Sequence, residues 1–167
     1  MKKVLFLVAI IGTFTVGYSQ SYTTAIGVKG GNVAGGFYGG GGINLKHFIS
    51  GKNALEVTVG GGNNHLRGQL LYEWQNSLDI ADGLDWYIGL GGSVGTWSSS
   101  NPHSNNKYSY SKGLYLGANG VVGLDWNLES ATGVPIGIAM DVGPYIGIIN
   151  SSRIGWGGAF ALRYILK

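Results

Sequence analysis

From residue 21 onward the chain alternates apolar and polar side chains with a period of two, and no stretch shows the spacing of an amphipathic helix. A two-residue period places successive side chains on opposite faces of a β-strand. Clusters of Gly, Asn, Ser and Pro interrupt the alternation, as turns do. The pattern predicts eight antiparallel strands, near residues 21–29, 40–49, 54–61, 66–75, 84–97, 113–126, 136–148 and 154–166.

Each predicted strand has one apolar face and one face of small or polar residues. In the last strand Trp156, Phe160 and Leu162 share one face, whereas Ala161 and Arg163 lie on the other. The same register, applied to every strand, collects the charged residues on the second face: Lys29, Lys46, Glu56, Arg67, Glu73, Asp85, Asp125, Asp141 and Arg163. The sheet should therefore have one uncharged surface and one surface that carries the charges.

Composition indicates which surface points inward. A soluble ligand-binding barrel of the lipocalin type encloses its apolar face, whereas a transmembrane barrel turns that face to lipid and has a polar interior. A surface in water is normally richly charged, but this chain has only 11% charged residues and 32 glycines in 167 residues. Eight strands enclose a space just wide enough for side chains, which suits glycines beside a few long charged residues.

We therefore predict an all-β fold, an eight-stranded antiparallel up-and-down transmembrane β-barrel. Eight of the nine charged residues on the second face, all except Lys29, are expected to form an ion-paired network in the barrel interior. Charges at membrane depth are costly unless they are paired. Such a network would act as a polar plug. The alternative interpretation is that the same residues line a narrow conduit.

The aromatic residues give a separate indication of a membrane. With strands running up and down from a periplasmic N-terminus, Trp156 falls at one rim and five aromatic residues of the apolar face fall at the other: Tyr22, Trp74, Trp86, Trp126 and Tyr164. Transmembrane barrels carry such girdles at the bilayer interfaces, whereas a soluble core has no reason to sort Trp to one end. The same count places the longest polar segment, residues 98–112, on the external side.

The first 20 residues have a different character from the rest of the chain. Lys2 and Lys3 precede an apolar run and then small residues, which is the layout of a secretory signal peptide. We expect residues 1–20 to be removed and residues 21–167 to form one barrel domain.

The charge of the remaining chain is close to neutral. Without Lys2 and Lys3, the chain has nine Lys and Arg residues and eight Asp and Glu residues, so the charge does not indicate a nucleic-acid partner. The absence of cysteine excludes disulfides.

Two local motifs carry a resemblance to a known family. The hairpin Leu45–Glu56 and the final strand Ala159–Lys167 resemble the small outer-membrane β-barrel proteins of Gram-negative bacteria, the OmpX/OmpA-barrel-like group. The resemblance implies residence in the outer membrane, contact with its lipid, and recognition of the last strand by the barrel-assembly machinery. It implies no single activity, because that family includes adhesion, surface-structural and enzymatic members.

Candidate chemistry is sparse, and we assign no catalytic, cofactor-binding or metal-ligating residue. The Gly-rich stretches lack the following helix that a phosphate loop requires. His65 and His103 fall in predicted external loops, and two histidines are too few for a zinc site. The polar loop is the best candidate for external contact, through Trp97, His103, Tyr108 and Tyr110, because Tyr, Ser and Asn are typical of binding loops.

These observations predict a monomeric outer-membrane protein with a structural or surface-interaction role and an unidentified extracellular or membrane-protein partner. Three alternatives stay open at this stage. They are a membrane-embedded lipid-modifying enzyme that uses His103 with loop serines, a narrow pore, and a secreted lipocalin-like binder of an apolar ligand.

Overall fold

The computed structural model describes residues 22–31, 40–62, 65–98, 112–150 and 154–166. The predicted signal peptide lies outside these residues. Eight strands occupy most of the described chain: β1 Thr24–Gly31, β2 Gly40–Ser50, β3 Asn53–Gly62, β4 His65–Ser77, β5 Leu84–Trp97, β6 Gly113–Asn127, β7 Ile136–Ile149 and β8 Ile154–Leu166.

The strands form a closed barrel in which consecutive strands are antiparallel neighbours. Closure is made by β1 and β8, whose register runs from Thr24 opposite Leu166 to Gly31 opposite Ala159. A closed sheet has no edge strand whose backbone N–H and C=O groups would be left unpaired. The predicted fold class, an eight-stranded antiparallel up-and-down barrel, is confirmed.

One short helix, which the sequence pattern did not reveal, lies in the connection between β6 and β7. This helix, α1, spans Leu128–Thr132; the Asn127 side chain accepts a hydrogen bond from the Glu129 backbone N–H, and Gly133 follows with a φ of 78°. We call this end of the barrel, which also holds the start of β1 and the end of β8, the α1 end. The described residues include no helix of the length and apolarity needed to cross a membrane.

The barrel is apolar outside and polar inside. Along β4, Leu66, Leu70 and Trp74 are exposed on the outer surface, whereas Arg67 and Glu73 are buried. The large apolar side chains of the other strands follow the same rule, and most of them are exposed. The interior, or lumen, is therefore lined by the small and polar face.

Tyrosine rings fill the lumen above glycines of neighbouring strands. A Cβ atom placed on Gly123 would lie 2.6 Å from the ring of Tyr87, and one on Gly95 would lie 2.5 Å from the ring of Tyr115. A Cβ on Gly117 would likewise meet the ring of Tyr145. These glycines leave the space that buried aromatic rings occupy, which explains part of the glycine content of the polar face.

Candidate functional site

The main polar feature of the lumen is a group of seven charged side chains, which we call the lumen cluster. Seven of the eight strands contribute one residue each: Lys29, Lys46, Glu56, Glu73, Asp125, Asp141 and Arg163. The remaining strand, β5, contributes Tyr87, whose hydroxyl donates a hydrogen bond of 2.9 Å to Asp141. Every strand of the barrel is thus tied to the cluster by a side chain.

Two lysines each bridge a pair of carboxylates. The Nζ atom of Lys29 lies 2.5 Å from Glu56 Oε1 and 2.6 Å from Asp141 Oδ2. The Nζ atom of Lys46 lies 2.7 Å from Glu73 Oε2 and 2.6 Å from Asp125 Oδ2. Each lysine therefore joins strands that are not its neighbours in the sheet, across the lumen.

Arg163 links the two lysine-centred groups. Its guanidinium contacts Glu56 Oε2, and its Nη1 atom lies 3.3 Å from Asp125 Oδ2. Its Nε–H donates to Asn44 Oδ1 at 2.5 Å. The planar guanidinium presents several donors in fixed directions, which allows one side chain to serve three acceptors.

The cluster is almost completely shielded from solvent, since each of its side chains is at most 5% exposed. Removing charges from water is costly, and pairing with hydrogen bonds compensates that cost only while every partner is present. Loss of one partner would leave a buried charge uncompensated. The geometry is therefore suited to holding the eight strands in one register.

Tyr22 lies at the mouth of the lumen, so its predicted place in the lipid-facing girdle is wrong. Its hydroxyl donates to Asp125 Oδ2 at 3.3 Å, and its ring packs edge-on against Phe48 at 5.0 Å between centroids. The physical reason is a bend at Thr23. Because β1 begins only at Thr24, the alternation of the strand does not extend to Tyr22.

Two predicted interior charges lie apart from the lumen cluster. Asp85 is half-buried at the α1 end, directly opposite Asp125 in the register of β5 and β6. Arg67 is buried on β4, six residues before Glu73. At about 3.3 Å per residue that separation is about 20 Å along the strand. The polar lumen thus has a second region, nearer the end opposite α1.

The other predicted interface aromatics lie on the outer surface. Trp74, Trp126 and Tyr164 are exposed near the α1 end, and the indole N–H of Trp126 donates to the backbone oxygen of Asp82 at 3.3 Å. Trp86 is half-buried beside Leu124 and Met140 in a shallow outer groove. Trp156 is exposed near the opposite end, where it pairs with Pro144.

Trp97 and His65, predicted in external loops, instead point into the lumen. Both are buried, at the end of β5 and the start of β4, and their ring centroids lie 4.8 Å apart. The Trp97 ring also lies 5.6 Å from that of Tyr115. Ser93, Gly95 and Trp97 are every second residue of β5 and so lie on the same face of the strand, which is the inward face. His103, Tyr108 and Tyr110 lie outside the described residues.

The predicted interior network lacks three residues of the site, although the sequence carries a signal for each. Lys29 lies on the charged face, but the predicted network begins at Lys46. Tyr87 lies between Asp85 and Gly89 in the alternation, and Asn44 lies two residues before Lys46, so both belong to the polar face. Among the described residues, no three His, Cys, Asp or Glu side chains are placed to hold a metal ion.

A closed eight-stranded barrel with an apolar outer surface and an ion-paired lumen has the outer-membrane type of β-barrel fold. No protein-family model and no curated protein matches the sequence. Among solved structures, the chain is similar to the N-terminal β-barrel domain of Pseudomonas aeruginosa OprF, with a TM-score of 0.63 and 15% identity. The match covers 87% of this chain and 98% of that domain. At this identity the likeness shows the fold alone.

Proposed function

We propose that this protein is an integral outer-membrane β-barrel of a Gram-negative bacterium, with a structural or surface-interaction role. The observation that carries the proposal is the inversion of polarity, with Leu66, Leu70 and Leu90 exposed and Lys46, Glu56 and Arg163 buried. In water such an outer surface would be an aggregation-prone apolar patch. Against acyl chains it is the stable arrangement, and it anchors the barrel.

The proposal also assigns the two ends. The α1 end, with exposed Trp74, Trp126 and Tyr164 near it, faces the periplasm. The segments 32–39, 63–64, 99–111 and 151–153 then face the outside. Residues His103, Tyr108 and Tyr110 belong to the longest of these segments, whose Tyr, Ser and Asn content suits contact with a partner.

Membrane integration is tested by cell fractionation followed by carbonate extraction and gel mobility. We expect the protein to stay with the outer-membrane fraction after carbonate treatment. Because a closed barrel resists SDS until heated, the unboiled protein should migrate differently from the boiled sample of the same preparation. Release by carbonate together with identical mobility before and after boiling would contradict the proposal.

The orientation is tested by single cysteines, which the absence of native cysteine makes unambiguous. Ser104→Cys lies in segment 99–111, and Asp79→Cys lies in the β4–β5 turn at the α1 end. A membrane-impermeant maleimide should label Ser104→Cys on intact cells and Asp79→Cys only after the outer membrane is broken. The reverse pattern would overturn the assignment of the two ends.

A further inference from the structure

Between the lumen cluster and the end opposite α1 lies a layer of neutral polar side chains, which we call the amide layer: Gln69, Ser93 and Asn119. These residues come from the adjacent strands β4, β5 and β6. Gln69 is directly opposite Ser93, and Asn119 is opposite Gly91, one lumen-facing position from Ser93 on β5. The three side chains therefore share one part of the lumen wall.

The amide layer holds polar atoms that the described part of the chain leaves without hydrogen-bond partners. Gln69, Ser93 and Asn119 are only 4%, 5% and 4% exposed. Both amide atoms of Gln69, both of Asn119 and the Ser93 hydroxyl have no partner among the described residues. Buried polar groups are almost always satisfied by protein, water or ligand. Five such atoms on one wall therefore point to a polar occupant.

The charge around this wall is positive. Arg67 is buried on the same face of β4, two residues before Gln69. The chain has eight acidic residues, and those of the lumen lie in the lumen cluster or beside Asp125 at the α1 end. The rings of Trp97 and Tyr115, which are in contact at a tilt of 35°, lie toward the opposite end. Electrostatic attraction between Arg67 and an anion is strong in this buried part of the lumen, because little water screens it.

We propose that Arg67, Gln69, Ser93 and Asn119 form a lumenal site for a small oxyanion of the phosphate class. Guanidinium, amide and hydroxyl donors are the groups that recognise such oxygens, and charge-assisted bonds to them are the strong ones. The amide oxygens of Gln69 and Asn119 need donors in return. Hydrogen phosphate carries a P–O–H group that can donate to them, whereas sulfate at neutral pH does not, so the site prefers phosphate.

The proposal is tested by calorimetric titration of the folded full-length protein in detergent with inorganic phosphate, and then with sulfate, at constant ionic strength. We expect saturable phosphate binding and sulfate binding that is weaker. Arg67→Gln should weaken phosphate binding by ~10-fold or more, because a hydrogen bond to a charged group is lost. Lys112→Gln removes an equal charge from an exposed residue beside β6 and should change the affinity by less than ~2-fold.

A second variant keeps the test valid if Arg67→Gln does not fold. Gln69→Glu has the same shape, retains Arg67 and places a carboxylate beside it, so phosphate binding should be lost. Phosphate binding that neither variant changes would overturn the proposal, as would the absence of saturable binding. Competition by a water-soluble short-chain phosphatidic acid would assign the phosphate chemistry to a lipid headgroup and overturn the free-anion site.

Discussion

Among single residues, Glu56 is the carboxylate that joins Lys29 to Arg163 in the lumen cluster. It contacts Lys29 of β1 and Arg163 of β8, although it lies on β3. Glu56→Gln keeps the shape and removes the charge, leaving two buried cations each short of an anion. We expect the free energy of unfolding to fall by roughly 3–5 kcal/mol, measured by urea unfolding in lipid vesicles with tryptophan fluorescence.

The matched control for this substitution is Asp79→Asn, which removes the same charge from an exposed position in the β4–β5 turn. Exposed substitutions of this kind change stability by less than about 0.5 kcal/mol. Equal stability of Glu56→Gln and Asp79→Asn would show that the lumen cluster does not stabilise the barrel through its ion pairs.

The faces of individual residues could be predicted, but their partners could not. Alternation alone places Lys29 and Glu56 on the polar face, because the period of a strand is two. The contact of Lys29 with Asp141, which lies on β7 two strands away around the barrel, depends on strand tilt and side-chain reach, which no local pattern encodes. The predicted place of Tyr22 is wrong because the alternation of β1 begins only after the bend at Thr23, so the strand period does not set the direction of the Tyr22 side chain.

At the scale of one element, β6 allows the outer surface to be tested at two depths. Val122 lies in the interior of the strand and Leu114 is its second residue, and both are about half exposed on the outer face (50% each). In a membrane, Val122→Arg should destabilise the barrel by ~2–4 kcal/mol and Leu114→Arg by only ~0–1 kcal/mol. The comparison is made by urea unfolding of both variants in the same lipid vesicles.

An outer surface in water predicts a different result for this pair. Neither arginine would then be costly, because the guanidinium would remain hydrated at both positions. Equal and small effects of Val122→Arg and Leu114→Arg would therefore contradict the lipid-facing assignment of β6.

The strands themselves were predictable to within a few residues, whereas α1 was not. Alternation over eight or more residues bounded by Gly, Asn and Ser clusters is a strong signal, and β5 and β8 begin and end where it places them. Five residues are too few to show a helical period. The local signals for α1 are its caps, Asn127 and Gly133, and the alternation of β6 obscures the first because Asn127 is also the last residue of β6.

At the scale of the whole molecule, the lumen cluster decides whether the barrel conducts ions. Side chains from all eight strands meet across the lumen, and an ion path would have to separate Lys29, Lys46 and Arg163 from their carboxylates. Eight strands leave little space beyond these side chains. We therefore expect no steady conductance from the folded protein in planar lipid bilayers, with a wide porin as the control that channels are detected in the same membranes.

Binding in the amide layer and a closed lumen are compatible, because they concern different depths of the barrel. Gln69 and Asn119 lie between the lumen cluster and the end opposite α1, so an anion bound to them does not cross the lumen cluster. Phosphate should then bind without carrying current. Stepwise, steady currents from the wild-type protein, altered in size by Glu56→Gln but not by Asp79→Asn, would show instead that the cluster lines an open path.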